Sequence, residues 1–496
     1  MNTFKMLTLW LVLGSIAWLF CPSAIAQIIP QTGQTKCFDE EGLEIDCAST
    51  GQDGEFLAGA SWPDPRFIDN NDGTISDSLT GLMWLADGAC LGDKTWIEAL
   101  AIAESFNTNP VPFNCQNYTA NYSDWHLPNI NELMSLYSPM MFEENHWLID
   151  AGFLTLAIGS YWSSTTMVES VKTAWLGNMD DGYLNNTGKG FHNDTWLVRI
   201  ENEPDTKPIR TGQTLCYSDT GNIIDCAGTG QDGEFQYGTA WPDPRFTDNN
   251  DQTVLDNLTK LVWLKDANCL FTNYPEVDTD GLVEGKVFFQ TAIDFINGMN
   301  DGTYPLCAGG KDDWRMPNSY ELRSLIDHGN VPSLAPGNPF INHMEFYYWT
   351  NSNWYIDKTQ VWVVGVYYGD VYTTWKDDKA FFWPVRDDIP DEIDGDTDGD
   401  DDIEESDGDD EAEVDTDADE DDETTPDGDL EQDIDEESAT DGDEDVETAD
   451  GDADDEDGNG SDCVMIGDTL SGLPIWLMWI LLACRRYKRK SSEVIK

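Results

Sequence analysis

Basic residues and histidines are what this chain lacks. Its 496 residues hold 26 Lys and Arg against 96 Asp and Glu, for a net charge of -70. No basic stripe exists outside the extreme C-terminus, so the electrostatic footprint of a nucleic-acid-binding protein is missing. The five histidines, His126, His146, His192, His328 and His343, share no position between the two halves of the chain described below. Neither a Ser-His-Asp arrangement nor a histidine-based zinc site can therefore be argued. No CxxC pair occurs, which removes the commonest zinc and redox spacing. Between Asp387 and Asp462 there is no Lys or Arg, while 43 acidic residues fill the stretch. Such a composition buries almost nothing and repels itself, so residues 389–462 read as an extended, disordered acidic stalk. The remainder has 53 acidic against 26 basic residues, so the globular part is acidic as well.

Long apolar runs occur at the two ends. Lys5, the apolar Met6–Phe20 and the Ala24-Ile25-Ala26 site make residues 1–26 a secretory signal peptide, cleaved before Gln27. Cys21 invites a lipoprotein reading, against which the bulky Phe20 stands. Export would place the remaining cysteines in an oxidising compartment. At the other end, residues 463–490 comprise Cys463, the apolar Leu470–Cys484 and the basic Arg485–Lys490. About 15 apolar residues are short for a transmembrane helix, which needs about 17, but Val464–Gly467 could lengthen the span. The basic cluster should stay cytoplasmic, which predicts a C-terminal membrane anchor at the cell envelope or surface. The layout resembles bacterial C-terminal sorting signals, with Cys463 placed like the cysteine of the myxobacterial type.

Repetition is what the chain has in abundance. TGQTKC at Thr32–Cys37 returns as TGQTLC at Thr211–Cys216, and WPDPRFIDNND at Trp62–Asp72 returns as WPDPRFTDNND at Trp241–Asp251, both at an offset of 179 residues. That period is too long for a solenoid and fits two tandem domains, residues 31–203 and 210–388, joined by a polar linker. Each is large enough to form its own core. In copy one, Arg66–Asp69, Thr74–Asp77 and Leu82–Leu85 read as short strands, with Asn70-Asn71-Asp72-Gly73 as a hairpin turn. Thr95–Asn107 and Phe288–Met299 have apolar residues at helical spacing. In Leu-Pro-Asn-x-x-Glu, Asn129 with Glu132 and Asn318 with Glu321 form capping boxes of a second helix. Later strands are expected at 160–165, 173–179, 183–184 and 195–200, and in copy two at 347–351, 360–368, 371–375 and 381–386. The class is α+β, two helices against small antiparallel sheets.

Setting aside Cys21, Cys463 and Cys484, each copy has four cysteines. Four allow three connectivities, among which chain proximity favours Cys37–Cys47, Cys90–Cys115, Cys216–Cys226 and Cys269–Cys307. Sixteen tryptophans lie outside the termini and twelve pair between copies: Trp62/Trp241, Trp84/Trp263, Trp125/Trp314, Trp162/Trp349, Trp175/Trp362 and Trp196/Trp383. Paired rings read as core. The unpaired Trp96, Trp147, Trp354 and Trp375 are the candidates for an exposed ligand-stacking surface. The copies also differ at His126 against Arg315, at Gly73 against Gln252, and by an insertion around Asn273–Lys286.

DNNDGTISDSLTGLMWL at Asp69–Leu85, DWHLPNINEL at Asp124–Leu133 and YWSST at Tyr161–Thr165 recur in copy two at Asp248–Leu264, Asp313–Leu322 and Tyr348–Asn351. This ordered set resembles the module of unknown function at the C-terminus of the Legionella collagen-like adhesin. The resemblance implies two tandem C-type-lectin-like domains, related in fold to formylglycine-generating enzymes. It also implies a surface protein, and the adhesin member is associated with sulfated polysaccharide. No site residue travels with the motifs. A surface-displayed adhesion protein is therefore expected, its two modules recognising a glycan or a surface protein. Its acidity favours a neutral or cationic glycan. The alternative is a structural envelope protein whose tail associates with calcium. Asp394, Asp396, Asp398 and Glu405 match the spacing of a calcium loop, and calcium is the one cofactor suggested. Formylglycine-type catalysis would need a reactive cysteine pair, so no enzyme and no catalytic residue is expected.

Overall fold

A computed structural model describes residues 28–139, 147–277 and 285–388. The signal peptide, the acidic stalk with Asp394, Asp396, Asp398 and Glu405, the apolar C-terminal segment and part of the 273–286 insertion lie outside these residues. No helix among the described residues is long and apolar enough to cross a membrane.

Each copy opens with an arm. A two-residue-per-strand hairpin, Cys37–Phe38 with Glu44–Ile45 or Cys216–Tyr217 with Ile223–Ile224, is followed by one helical turn at Asp53–Phe56 or Asp232–Phe235. Disulfides Cys37–Cys47 and Cys216–Cys226 staple the arms, while Cys90–Cys115 and Cys269–Cys307 staple the bodies. All four pairings are those favoured by proximity.

Behind the arm comes a four-stranded antiparallel sheet. In copy one it runs Phe67–Asp69, Thr74–Asp77, Leu82–Leu85 and the closing strand Val198–Ile200; Phe246–Asp248 to Val385–Asp387 repeat it. Its first turn uses its own carboxylates: Asp69 Oδ1 accepts from Asn71 N at 2.8 Å, and Asp72 Oδ1 accepts from Thr74 N at 3.1 Å. This is a side-chain-closed turn of the expected kind. Gly73 has φ 84° and Gln252 has φ 74°, so both copies need the left-handed region there. Only copy one needs glycine, because a Cβ on Gly73 would lie 2.5 Å from Tyr118 Cα. In copy two the glycine has moved to the facing segment, where Gly309 admits Gln252. Gly73→Ala should destabilise the fold by more than about 2 kcal/mol in urea unfolding, and Gln252→Gly by less than about 1.

The helix Trp96–Thr108 starts at a Thr95/Glu98 capping box and buries Trp96, Ala99, Leu100, Ile102, Ala103 and Phe106. Phe289–Asn300 is its counterpart. The remaining strands form a larger sheet than the small ones expected. Ser160–Thr166, Thr173–Asn178 and Leu184–Gly188 of copy one meet Val371–Trp375, Gln360–Gly365 and Tyr347–Asn353 of copy two in one eight-stranded sheet, joined at Leu184 and Val371. Joining there pairs two strand edges that would otherwise stay open, and both joining side chains are buried.

The arms are exchanged. The first arm sits on copy two, where Asp53 Oδ2 accepts from Ser352 Oγ at 2.7 Å and Gln34 Oε1 accepts from Asn353 N at 2.8 Å. There Asn318 Nδ2 donates to Ala58 O at 3.1 Å, and Lys376 Nζ donates to Phe38 O at 2.7 Å. The second arm sits on copy one by the same bonds with the copies interchanged. Asp232 Oδ2 accepts from Thr165 Oγ1 at 2.7 Å, Gln213 Oε1 accepts from Thr166 N at 2.9 Å, and Asn129 Nδ2 donates to Tyr237 O at 3.3 Å. Both copies consequently fall in one compact unit and share one apolar cluster, in place of the separate cores expected from length. The exchange relates the copies as a pseudo-symmetric pair.

Candidate functional site

The capped helix organises each copy. Asn129 Oδ1 accepts from Glu132 N at 2.9 Å and Glu132 Oε2 accepts from Asn129 N at 2.8 Å; Asn318 and Glu321 repeat both bonds. Capping does not explain the second duty of these glutamates. In copy two, Arg315 grips Glu321 through Nη1 at 2.6 Å and Nη2 at 2.7 Å, and reaches Asp387 at 3.1 Å. Burial opposes charge on Arg315, but the two carboxylates outweigh it and raise the pKa. In copy one His126 takes this place. Its Nε2 lies 3.2 Å from both Glu132 oxygens, and its Nδ1 is buried without a partner.

The second arm lays aromatic rings beside that histidine. Tyr237 lies 4.3 Å from the His126 ring, and Phe235 stacks on Tyr237 at 5.0 Å and 9°. Next to them is a polar cavity of about 270 Å³ lined by Glu132, Asn202, Glu203, Arg210, Phe235 and Tyr237 among others. The equivalent face on copy two has Phe56 but Ala58 in place of Tyr237, with the Arg315 network below. The histidine and the aromatic pair thus coincide on one face only.

Beneath this face lies Asp232, fully buried, with Oδ1 unpartnered and Oδ2 accepting from Thr211 and Thr165. Burial chiefly, then nearby Glu132, pushes it up to about 7. Its counterpart Asp53 is pushed up to about 6, again chiefly by burial. Nearby Arg315 opposes the rise at Asp53, and nearby His126 opposes that at Asp232. Sequence reasoning missed these aspartates and the arm glutamines. The signal was available, since GQDGEF stands unchanged at Gly51–Phe56 and Gly230–Phe235.

The repeated motifs Asn70–Leu85, Leu127–Glu132 and the closing strand all lie in the bodies, behind the arms. A family model described as the Lcl C-terminal domain matches residues 73–199 and again 252–386. The chain belongs to that family. The two Lcl C-terminal domains begin just after the arms, which lie outside both matches. The family is adhesin-like and of unknown function, and is not an enzyme family. No curated protein matches the chain at a significant level. All eight described cysteines, two of each copy in the arm and two in the Lcl domain, are joined in disulfides.

The tryptophan candidates scatter. Trp96 is 0% exposed and donates Nε1 to Ser163 O at 2.8 Å, so the stacking role expected of it fails: it is core. Trp147 is half-buried against Phe67 at 5.2 Å and Trp62 at 6.0 Å. Trp354 stacks on Tyr183 of the other Lcl domain at 5.7 Å, between the copies. Trp375 is partly exposed at the end of its strand. The structure does not bring the four together. Of the paired tryptophans, only Trp62 and Trp241 are not buried; each carries an arginine over its ring, Arg66 at 4.5 Å and Arg245 at 4.3 Å. Among the described residues no group of three or more His, Cys, Asp or Glu is placed to hold a metal ion.

Proposed function

We propose that the protein is a surface-displayed binding protein, anchored through its C-terminal apolar segment, that recognises a neutral or cationic glycan at the polar cavity beside Tyr237. The observation carrying this reading is the stacked pair Phe235 and Tyr237 at the rim of a polar cavity. A sugar ring has an apolar C–H face, which an aromatic shelf accepts, and hydroxyl edges, which Glu132, Asn202, Glu203 and Arg210 can meet with hydrogen bonds. The acidity of the globular part disfavours sulfated and other polyanionic chains. The C-type-lectin-like fold implied by the family resemblance points the same way. Duplication suggested two equal modules, but the coincidence of His126 with Tyr237 gives one such site per chain. Avidity then arises between chains crowded on a surface rather than within one chain. The acidic stalk, with Asp394, Asp396, Asp398 and Glu405, associates with calcium loosely through charge density.

A glycan array with the intact chain tests this reading. Tyr237→Ala and Phe235→Ala should each weaken binding at least tenfold, about 1.4 kcal/mol, while Phe56→Ala on the other face should leave it unchanged. Equal binding by all three variants, or no glycan bound above a denatured control, would sink the assignment.

A further inference from the structure

Seven arginines fall within the described residues. Five have carboxylate partners: Arg66 with Asp77, Arg199 with Asp124, Arg245 with Asp256, Arg315 with Glu321 and Arg386 with Asp313. Arg210 and Arg323 have no such partner among the described residues, in a chain with 96 acidic side chains. Both line cavities where the copies meet. Arg210 borders the glycan site proposed above. Arg323 borders an adjoining, mainly apolar cavity of about 80 Å³, which shares Thr80, Lys207 and Pro208 with the first.

This second cavity sits where matching elements face each other. Asn131, Met134 and Ser135 come from the capped helix of copy one, and Tyr320, Arg323 and Ser324 are the same three positions of copy two. Ile29-Pro30 and Pro208-Ile209, the starts of the two arms, complete the wall. The pseudo-symmetry is broken at the residue that matters: Arg323 stands where copy one has the buried Met134. Burial depresses the pKa of the Arg323 guanidinium, with only the Tyr320 and Tyr137 rings nearby to favour its charge. A poorly solvated cation without a counter-charge destabilises the fold that holds it, and a bound anion would offset that.

We propose that this cavity binds a small monocarboxylate with a short apolar body, Arg323 taking the carboxylate and the apolar wall taking the chain. The planar guanidinium fork matches a carboxylate bidentately. Lys207, the other cation of the lining, is already paired with Glu203, so one unpaired cation balances one negative charge. At roughly 11–15 Å³ per water-sized probe, 80 Å³ admits about half a dozen non-hydrogen atoms, far from a polymer. Pro30, Met134, Pro208 and Ile209 give the wall an apolar part that suits a short hydrocarbon body.

Calorimetric titration of the intact chain with butanoate, and with the neutral butanamide, decides the matter. The acid should bind one per chain and the amide at least tenfold more weakly. Arg323→Met, which installs the residue copy one already tolerates, should abolish acid binding and raise the melting temperature. Arg323→Lys keeps the charge, loses the fork and should weaken binding at least fivefold. Acid and amide binding alike, inorganic sulfate binding as tightly as the acid, or a lower melting temperature in Arg323→Met would each overturn the assignment. The last result would mean that Arg323 is held by a partner within the protein.

Discussion

Expressed alone, the first copy (residues 28–203) is expected to yield no folded monomer. Its socket for the second arm includes Thr165 and Thr166 at 0% exposure and Asn129 and Lys189 at 2%. Without that arm Asn129, Thr165, Thr166 and Lys189 lose the bonds they make to it, while Gln34, Gln52 and Asp53 of the first arm keep only the bonds within their own arm. Each such hydrogen bond contributes about 0.5–1.5 kcal/mol net, so losing half a dozen removes much of the 5–15 kcal/mol that typically holds a domain together. The two sockets are equivalent, Asn129, Thr165 and Thr166 matching Asn318, Ser352 and Asn353. Two molecules of the single copy can therefore trade arms as the tandem does internally. Light scattering should show a dimer whose dissociation and unfolding coincide, whereas residues 28–388 should be monomeric. A single-copy monomer melting at the temperature of the tandem would contradict the exchange.

The melting temperature of the tandem should fall as pH rises from 5 to 7. Asp53 and Asp232 are fully buried and sit at about 6 and about 7, well above the 3.8 of a free aspartate. Between those values the native state keeps protons that the unfolded chain has released. The associated stability is whole below about pH 4 and is lost as pH climbs through 6 and then 7, by about 3 kcal/mol for Asp53 and about 4 kcal/mol for Asp232. Asp181 and Asp370, raised to about 6 chiefly by burial, act in the same direction. Asp124, held below its usual range by Arg199, acts oppositely at lower pH; His328, depressed by burial to about 3, opposes the fall up to about pH 6.5, and Lys189, depressed by burial to about 7, opposes it above pH 7. Asp232→Asn should flatten the slope between pH 6 and 7 and leave the part due to Asp53 below pH 6. His126→Arg should lower the Asp232 midpoint by installing the cation that copy two has at this place. A melting temperature that is flat or rising from pH 5 to 7 would refute the reading.

Elements set by neighbouring residues were legible. Thr74–Asp77 and Leu82–Leu85 are strands at the expected residues, because the turn between Asp69 and Thr74 closes with its own side chains. Asn129 and Asn318 cap their helices as their spacing from Glu132 and Glu321 requires. The disulfides follow chain proximity, two of them spanning only 10 residues. Trp96 was misjudged for a reason that generalises. It was set apart because copy two has no tryptophan there, yet Phe289 begins the equivalent helix and is 2% exposed. One large ring had replaced another in the core, and matching by identity cannot see that.

The sequence by itself determined the duplication, the stapled arms, the hairpins and caps, and the positions at which the copies differ. Only the tertiary structure decided which body each arm closes upon. The reason is symmetry: GQDGEF and TGQT are the same in both arms, and Asn129 with Thr165 offers the same donors as Asn318 with Ser352. An arm folded back on its own copy and an arm folded on the other would satisfy the same hydrogen bonds. Chain geometry alone distinguishes them, and it is the exchanged arrangement that brings Tyr237 over His126 and leaves Arg323 facing Met134.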